Sequence, residues 1–354
     1  MPVTVARPRE LRGEIIAPGD KSVSHRAIML NALSHTGTAR ITNFSPGADC
    51  TSTVEIFRAL GVDIARESGR DGMGDSLTVR GVGLNGLQEP ADVLDAGNSG
   101  TTTRLMSGIL AGRNIVTILT GDDSLKSRPM GRVVDPLRKM GAEITGRAGG
   151  TLAPLVFYGG SLKGTSYQMP VASAQLKSCL LLAGLRADGV TSITQPAESR
   201  DHTERMFSAM GVKLAKNGLE LTLEPSDLET VDIEIPGDIS SAAFWMIAGI
   251  CHPNAELLVR NVGINPTRAG IITLLQQMGA DLKLVDQREV AGEPVADVLV
   301  KSSQLKGVEL SGDIVPLLID EIPVIAVAAA LAEGTTTIRD AAELRVKESD
   351  RISA

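Results

Sequence analysis

The chain has very few aromatic side chains: one Trp, two Tyr and five Phe among 354 residues. That leaves too few ring faces for a base-stacking platform, and a net charge of -7 with a pI near 5.3 supplies no basic field, so a nucleic-acid binder is excluded. Any anionic ligand has to be held by a local cluster of cations. Cysteine is scarce and scattered: Cys50, Cys179 and Cys251 form neither a CxxC metal knuckle nor an even-numbered disulfide framework, which fits a reducing cytosol. Long apolar runs are missing, because the longest, VIAVAAALA at 324–332, is too short to span a bilayer. The first thirty residues lack the charged start, apolar centre and small-residue cleavage site of a signal peptide. A cytoplasmic protein with no membrane partner is expected. The four histidines, His25, His35, His202 and His252, have no metal-ligand spacing, so no metal is expected and each is read first as a capping or surface residue. No serine sits in a GxSxG elbow.

What is present is an ordinary globular composition, 43% hydrophobic and 22% charged, at a length that suggests about two domains able to bury cores without staples. The organisation lies in repeats. FRALGVDIA, LRKMGAEIT, FSAMGVKLA and LQQMGADLK each read as a helix stop followed by a strand, with Gly61, Gly141, Gly211 and Gly279 as left-handed caps. Upstream of each lies a β-branched strand with a polar loop, as in TARITNFSPGADC and NIVTILTGDDSLKSRP. Each unit opens on a small polar turn running into an apolar helix, as in PGDKSVSHRAIML, DAGNSGTTTRLMSGIL and PVASAQLKSCLLLAG. Repeats of this length point to α/β modules wrapped into compact domains rather than a solenoid. A fifth copy starts at TTTIRDAAELRVKESDRI and stops at Ala354 partway into a helix, so a chain cut short by about one module is expected.

GVGLNG at 81–86 has the letters of a dinucleotide fingerprint, but Pro90 and the absence of a following amphipathic helix make it a turn. In PGDKSVSHR, Asp20 or Ser22 caps a helix whose face carries Ser22 and Arg26, and cations in a first turn are unfavourable unless an anion is bound. Lys126 and Arg128, Arg200, and Lys347 with Arg351 occupy the same place in successive repeats, where equivalent positions converge on one cleft. Lys347 and Arg351, four apart, repel unless an anion or a carboxylate such as Glu348 or Asp350 bridges them. GNSGTT suits close backbone approach of a ligand, and SAQ at 173–175 offers hydroxyl and amide groups at a helix entrance, or a plain cap. Asp320 and Glu321 are carboxylates inside an apolar segment, a setting for either a general base or a structural ion pair.

Taken in order, PGDKSVSHR, AGNSGTTTRL, LKSRPMG, SAQLKS, SRDHTER, LIDEIPV and ELRVKESDR resemble the 5-enolpyruvylshikimate-3-phosphate (EPSP) synthase family along the whole chain. The resemblance implies an α/β fold of two similar domains joined by a hinge, an inside-out α/β barrel of repeated βαβαββ modules with helices inside. It places the first domain at 21–236 and the second, incomplete, at 1–20 plus 237–354. The implied reaction, in the shikimate pathway of aromatic amino-acid biosynthesis, moves the enolpyruvyl group of phosphoenolpyruvate to the 5-hydroxyl of shikimate 3-phosphate without a cofactor. By matching motif, Lys21, Ser22, Arg26, Ser173, Ala174, Gln175, Arg200, Asp320 and Lys347 are expected to hold shikimate 3-phosphate. Lys21, Asn98, Gly100, Arg128, Gln175 and Arg351 are expected to hold phosphoenolpyruvate, with Asp320 as base, Glu348 as acid and Lys21 contacting both substrates.

Ala174 and Arg200 follow the SAQ and SRDHTE variant of the family, and Gly100 leaves room for the inhibitor glyphosate. Family members run about one module further, with an Arg and a Lys absent here, so weak or no activity is expected of this chain. The alternatives are the related UDP-N-acetylglucosamine enolpyruvyl transferase, whose first loop reads KNA where this one has KSVSHR, and a non-catalytic anion-binding module. No large apolar stripe demands a partner, so a monomer is expected.

Overall fold

The computed structural model describes residues 6, 8–35, 37–69, 74–346 and 349–354; Lys347 and Glu348 lie outside the described residues. The chain divides into two compact units, Gly19–Ile235, and Met1–Pro18 with Pro236–Ala354.

In the unit Gly19–Ile235 the helix-stop glycines do what their sequence setting requires. Gly61, Gly141 and Gly211 have φ of +87°, +101° and +82°, a region that costs other residues strain, and each turns a helix into a strand. The result is one sheet plan used three times. Thr38–Phe44 pairs antiparallel with Asp75–Arg80, which pairs antiparallel with Ile64–Glu67. Thr117–Thr120, Leu152–Phe157 and Ile144–Gly146 repeat that order, as do Thr191–Thr194, Glu220–Leu223 and Leu214–Asn217. A fourth, parallel strand completes each sheet: Ile233–Glu234, Leu94–Asp95 and Ser166–Gln168. Burial alternates along Asp75–Arg80 and Leu152–Phe157, as it does in strands with one face on a core.

Three helices, Lys21–Leu33, Gly100–Leu110 and Ala174–Gly184, are buried on nearly every side. Their apolar and small residues show no single stripe, the pattern of helices with no solvent face. Two of them touch backbone to backbone at Gly108, where a Cβ would lie 2.1 Å from the Cys179 carbonyl oxygen. The GVGLNG segment is a turn at Leu84–Asn85, and the next helix begins only at Gly100.

The other unit repeats the plan once: Leu11–Ile16 lies parallel to Ala255–Gly263, which pairs antiparallel with Glu293–Lys301 and that with Asp281–Val290. Gly279, at φ +93°, again precedes its strand. The parallel pair Glu309–Leu310 and Thr337–Ile338 starts a further sheet. Two helices here, Ile239–Cys251 and Ile322–Leu331, expose Phe244 (63%), Trp245 (43%), Val327 (52%) and Leu331 (65%). The sequence conceals this apolar patch because both helices are apolar all round, so no periodicity marks the outward side. No single helix among the described residues is long and apolar enough to cross a membrane.

The Gly108 contact generates a pair of opposite expectations. Gly108→Ala forces the two helices apart and should cost about 2 kcal/mol or more, several degrees of thermal midpoint. Gly131→Ala, at a helix start where the nearest atom to an added Cβ is 3.5 Å away, should be neutral or stabilise by about 0.5 kcal/mol. Calorimetric melting of both variants checks this, and equal midpoints would refute the packing account.

Candidate functional site

Four helices begin on side-chain caps. Asp20 accepts from the Val23 N–H at 2.9 Å, Ser99 from Thr102 at 3.1 Å, Ser173 from Leu176 at 3.3 Å and Asp238 from Ser240 at 2.9 Å. The first three caps open the three inner helices of the unit Gly19–Ile235, and the expected ligand residues Lys21, Ser22, Asn98, Gly100, Ala174 and Gln175 lie within two residues of them.

Lys21 is exposed and its Nζ lies 3.3 Å from Asp49 Oδ2, so a carboxylate of the chain itself offsets the cation in the first turn. Ser22, partly buried, gives its carbonyl to Arg26 Nη1 at 2.9 Å. Arg26 is only 4% exposed; its Nε donates to Thr203 Oγ1 at 2.7 Å and its Nη2 to Ser178 Oγ at 2.9 Å. The expected substrate ligand Arg26 therefore ties three helices together.

Around Gly100 two guanidinium groups converge. A Cβ on Gly100 would lie 3.0 Å from Arg104 Nη1 and 3.4 Å from Arg128 Nη1. Arg128 donates to the Asn98 side-chain oxygen, to the Asn98 carbonyl at 3.3 Å and to Ser124 Oγ at 3.2 Å. Asn98 in turn donates to Asp122 Oδ2 at 2.6 Å. The Asp122 carboxyl is held below the usual range, first by the Leu125 N–H and then by the Asn98 amide. Arg104 Nη1 donates to Gln175 Oε1 at 2.6 Å, and Gln175 Nε2 to Thr101 Oγ1 at 3.1 Å. Asn98, Gly100, Arg128 and Gln175 are thus brought together, with two cations beside the amide end of a helix, an arrangement suited to a small dianion. Lys126, expected beside them, pairs with Asp123 at 3.5 Å.

Ser173 is a cap, and Ala174 beside it is partly buried. Arg200 is partly buried in the loop before the helix His202–Ala209. That loop is pinned by Lys177, fully buried, whose Nζ lies 2.6 Å from Glu204 Oε1 and 3.0 Å from the Ser199 carbonyl.

In the unit containing Pro236–Ala354, Asp320 and Glu321 sit where Gly312–Leu318 and Ile322–Leu331 bend by 111°. They separate in role. Glu321, 1% exposed, takes a hydrogen bond from Ser240 Oγ, which also accepts from Arg268. Asp320, a quarter exposed, pairs with Arg351 at 3.1 Å. The expected base and an expected phosphoenolpyruvate ligand therefore form an ion pair. Asp350 caps Ile352 and Ser353 and pairs with Arg345 at 3.0 Å rather than bridging Arg351.

Arg104, Asp49, Lys177 and Ser178 escaped sequence reasoning. Arg104 carried a signal, standing four residues after Gly100 and therefore on its face of the helix; Asp49 and Lys177 needed tertiary contacts. The histidine reading needs correction: His25 and His202 are buried at 0% and 3%, because the helices that carry them have their sides against other helices. Among the described residues no group of three His, Cys, Asp or Glu is placed to hold a metal ion.

A family model described as EPSP synthase (3-phosphoshikimate 1-carboxyvinyltransferase) matches residues 5–354. A 3-phosphoshikimate 1-carboxyvinyltransferase of Synechococcus sp. is 57% identical over 99% of this chain and 79% of its own length. One of Bacillus subtilis is 53% identical over 97% of this chain and 78% of its own. The EPSP synthase of Acinetobacter baumannii superposes with a TM-score of 0.89 at 47% identity, covering 97% of this chain and 77% of its own. The enolpyruvyl transferase NikO of Streptomyces tendae, at 20% identity and a TM-score of 0.72, shares the fold. These relatives match nearly all of this chain, which spans about four fifths of their own length.

Burial, aided by the charges of Lys21 and Arg26, lowers the His25 ring to about 3. The unfolded ring takes up a proton below about pH 6.5 that the folded ring refuses, so folding stability falls as pH drops from there toward 3, by roughly 1.4 kcal/mol per unit. Urea unfolding at pH 7, 5.5 and 4.5 should show a smaller acid loss for His25→Asn than for the unaltered chain; parallel curves would refute the buried neutral ring.

Proposed function

The chain belongs to the EPSP synthase family, and from that premise we propose how its residues carry out the transfer. It is an enzyme of the shikimate pathway, a 3-phosphoshikimate 1-carboxyvinyltransferase that moves the enolpyruvyl group of phosphoenolpyruvate to the 5-hydroxyl of shikimate 3-phosphate and releases phosphate. Neither the UDP-N-acetylglucosamine enzyme nor a non-catalytic module is favoured by these relatives.

The observation that carries the residue assignment is the convergence of Arg104 and Arg128 on Gly100. Phosphoenolpyruvate brings a phosphate and a carboxylate, and Arg128, Asn98, the Gly100 amide, Gln175 and Lys21 receive it, with Arg351 on the carboxylate side. Shikimate 3-phosphate is held by Ser22, Ser173, Ala174, Gln175, Arg200 and Lys347, with Lys21 shared and Arg26 fixing the Ser22 carbonyl from within. Asp320 takes the proton of the 5-hydroxyl as its oxygen bonds to C2 of phosphoenolpyruvate, and Glu348 delivers a proton to C3. The tetrahedral adduct then returns a C3 proton to Glu348 as its C2–O bond to phosphate breaks, the leaving phosphate being stabilised by Lys21 and the arginines. Binding two anions side by side is the electrostatic task, and the cation cluster offsets their repulsion. The two compact units are the proposed domains; a cytoplasmic monomer without metal or cofactor is the proposed working form.

Phosphate release from phosphoenolpyruvate plus shikimate 3-phosphate tests the reading. Arg128→Ala should lower kcat/KM for phosphoenolpyruvate about 100-fold, as expected when a charged donor to a dianion is lost. Gly100→Ala should raise that KM and weaken inhibition by glyphosate together, since the added methyl displaces both guanidinium groups. An unchanged KM in Arg128→Ala would overturn the assignment.

A further inference from the structure

A line of hydrogen-bonding side chains runs through the interior of the unit Gly19–Ile235. His25 Nδ1 lies 2.7 Å from Thr53 Oγ1, Thr53 Oγ1 lies 2.8 Å from Thr102 Oγ1, and Thr102 Oγ1 donates to Ser99 Oγ at 2.7 Å. All four residues have zero exposure. They come from the helix Lys21–Leu33, the helix Ala48–Ala59 and the cap and first turn of the helix Gly100–Leu110. Ser99 is flanked by Asn98 and Gly100, and His25 stands one turn after Lys21 on the same helix.

We propose that this chain of side chains is a positioning device: it locks the Asn98–Gly100 turn against the Lys21 helix and thereby sets the affinity for phosphoenolpyruvate. The inference rests on the assignment of Asn98 and Gly100 to that substrate and adds His25, Thr53 and Thr102 as positioning residues.

The direction of the protons follows from burial. His25 Nε2 has no hydrogen-bonding partner, and a buried N–H without an acceptor is more costly than a bare ring lone pair, so the neutral ring carries its proton on Nδ1 and donates to Thr53. The depressed ring basicity agrees with a neutral His25. Thr53, having accepted from the ring, donates to Thr102 at 2.8 Å in preference to the Asp49 carbonyl at 3.4 Å. Thr102 then donates to Ser99 Oγ, which also accepts the Thr102 N–H at 3.1 Å. One proton position at His25 thus orders every donor up to the cap of the Gly100 helix, and removing a middle hydroxyl leaves its buried neighbours unsatisfied.

Thr103 is the internal control. It is equally buried, on the same helix, and donates to the Ser99 carbonyl at 2.9 Å, outside the line from His25. Thr102→Val should raise KM for phosphoenolpyruvate about 5- to 20-fold with kcat changed less than about twofold. Thr102→Ser should restore it, and Thr103→Val should leave KM within about twofold. Nitrogen-15 NMR of the unaltered protein at pH 7 should show His25 as the Nδ1–H tautomer, a readout that needs no turnover. Equal KM changes in Thr102→Val and Thr103→Val, failure of the serine rescue, or an Nε2–H tautomer would each overturn the proposal. If Arg128→Ala also leaves KM unchanged, the substrate assignment has failed; if only Thr102→Val does, the positioning inference alone has.

Discussion

Burial of three helices on all sides governs the rest of the unit Gly19–Ile235. A helix with no solvent face must satisfy its orphan N–H groups within the protein, which Asp20, Ser99 and Ser173 do. It must also tolerate close neighbours, and the absence of a side chain at Gly108 lets one helix rest on the backbone of another at Cys179. Each helix begins at a polar turn, and those turns carry residues assigned to both substrates. The apolar interior and the anion-binding surface are two ends of the same elements.

In each unit the cations are held under electrostatic restraint. Lys21 is paired with Asp49, Lys177 with Glu204 and Asp320 with Arg351. Arg26 is buried among hydroxyls and a carbonyl. Unpaired cations at helix N-termini would destabilise the ligand-free protein, so several of these charges are held internally, and Arg104 and Arg128 lie nearest Gly100. A guanidinium serves here because its planar set of five donors matches oxygens presented side by side. The hydroxyl line from His25 to Ser99 meets the same need by other means, since it fixes a loop beside two cations without adding a charge.

Some features were legible before any coordinate. The repeated LG and MG phrases announced their left-handed caps and the strands after them, because only glycine enters that backbone region without strain and the alternating pattern behind it suits a strand alone. The seven motifs announced the family because their charged and small residues occur in the same order along the whole chain. Other features were not legible. His25 and His202 read as surface or capping residues, since nothing in the local sequence says that a helix is enclosed by others. The exposure of Phe244, Trp245, Val327 and Leu331 was hidden for the same reason. Arg104 stood inside a quoted motif, yet only its distance from Gly100 and Gln175 gives it a role.

The amino-acid sequence alone determined the module, its repetition, the glycine caps, the absence of a long apolar span and the family, because these depend on neighbours a few residues apart. Which side of an apolar helix faces inward, which carboxylate neutralises which cation, and which of two adjacent carboxylates is buried were decided by the tertiary structure. Asp320 and Glu321 show why: local propensity treats them alike, but the 111° bend sends one to a partly exposed arginine and the other to a partly buried serine. Such choices depend on groups 31 and 81 residues away in the chain, brought into hydrogen-bonding distance only by packing.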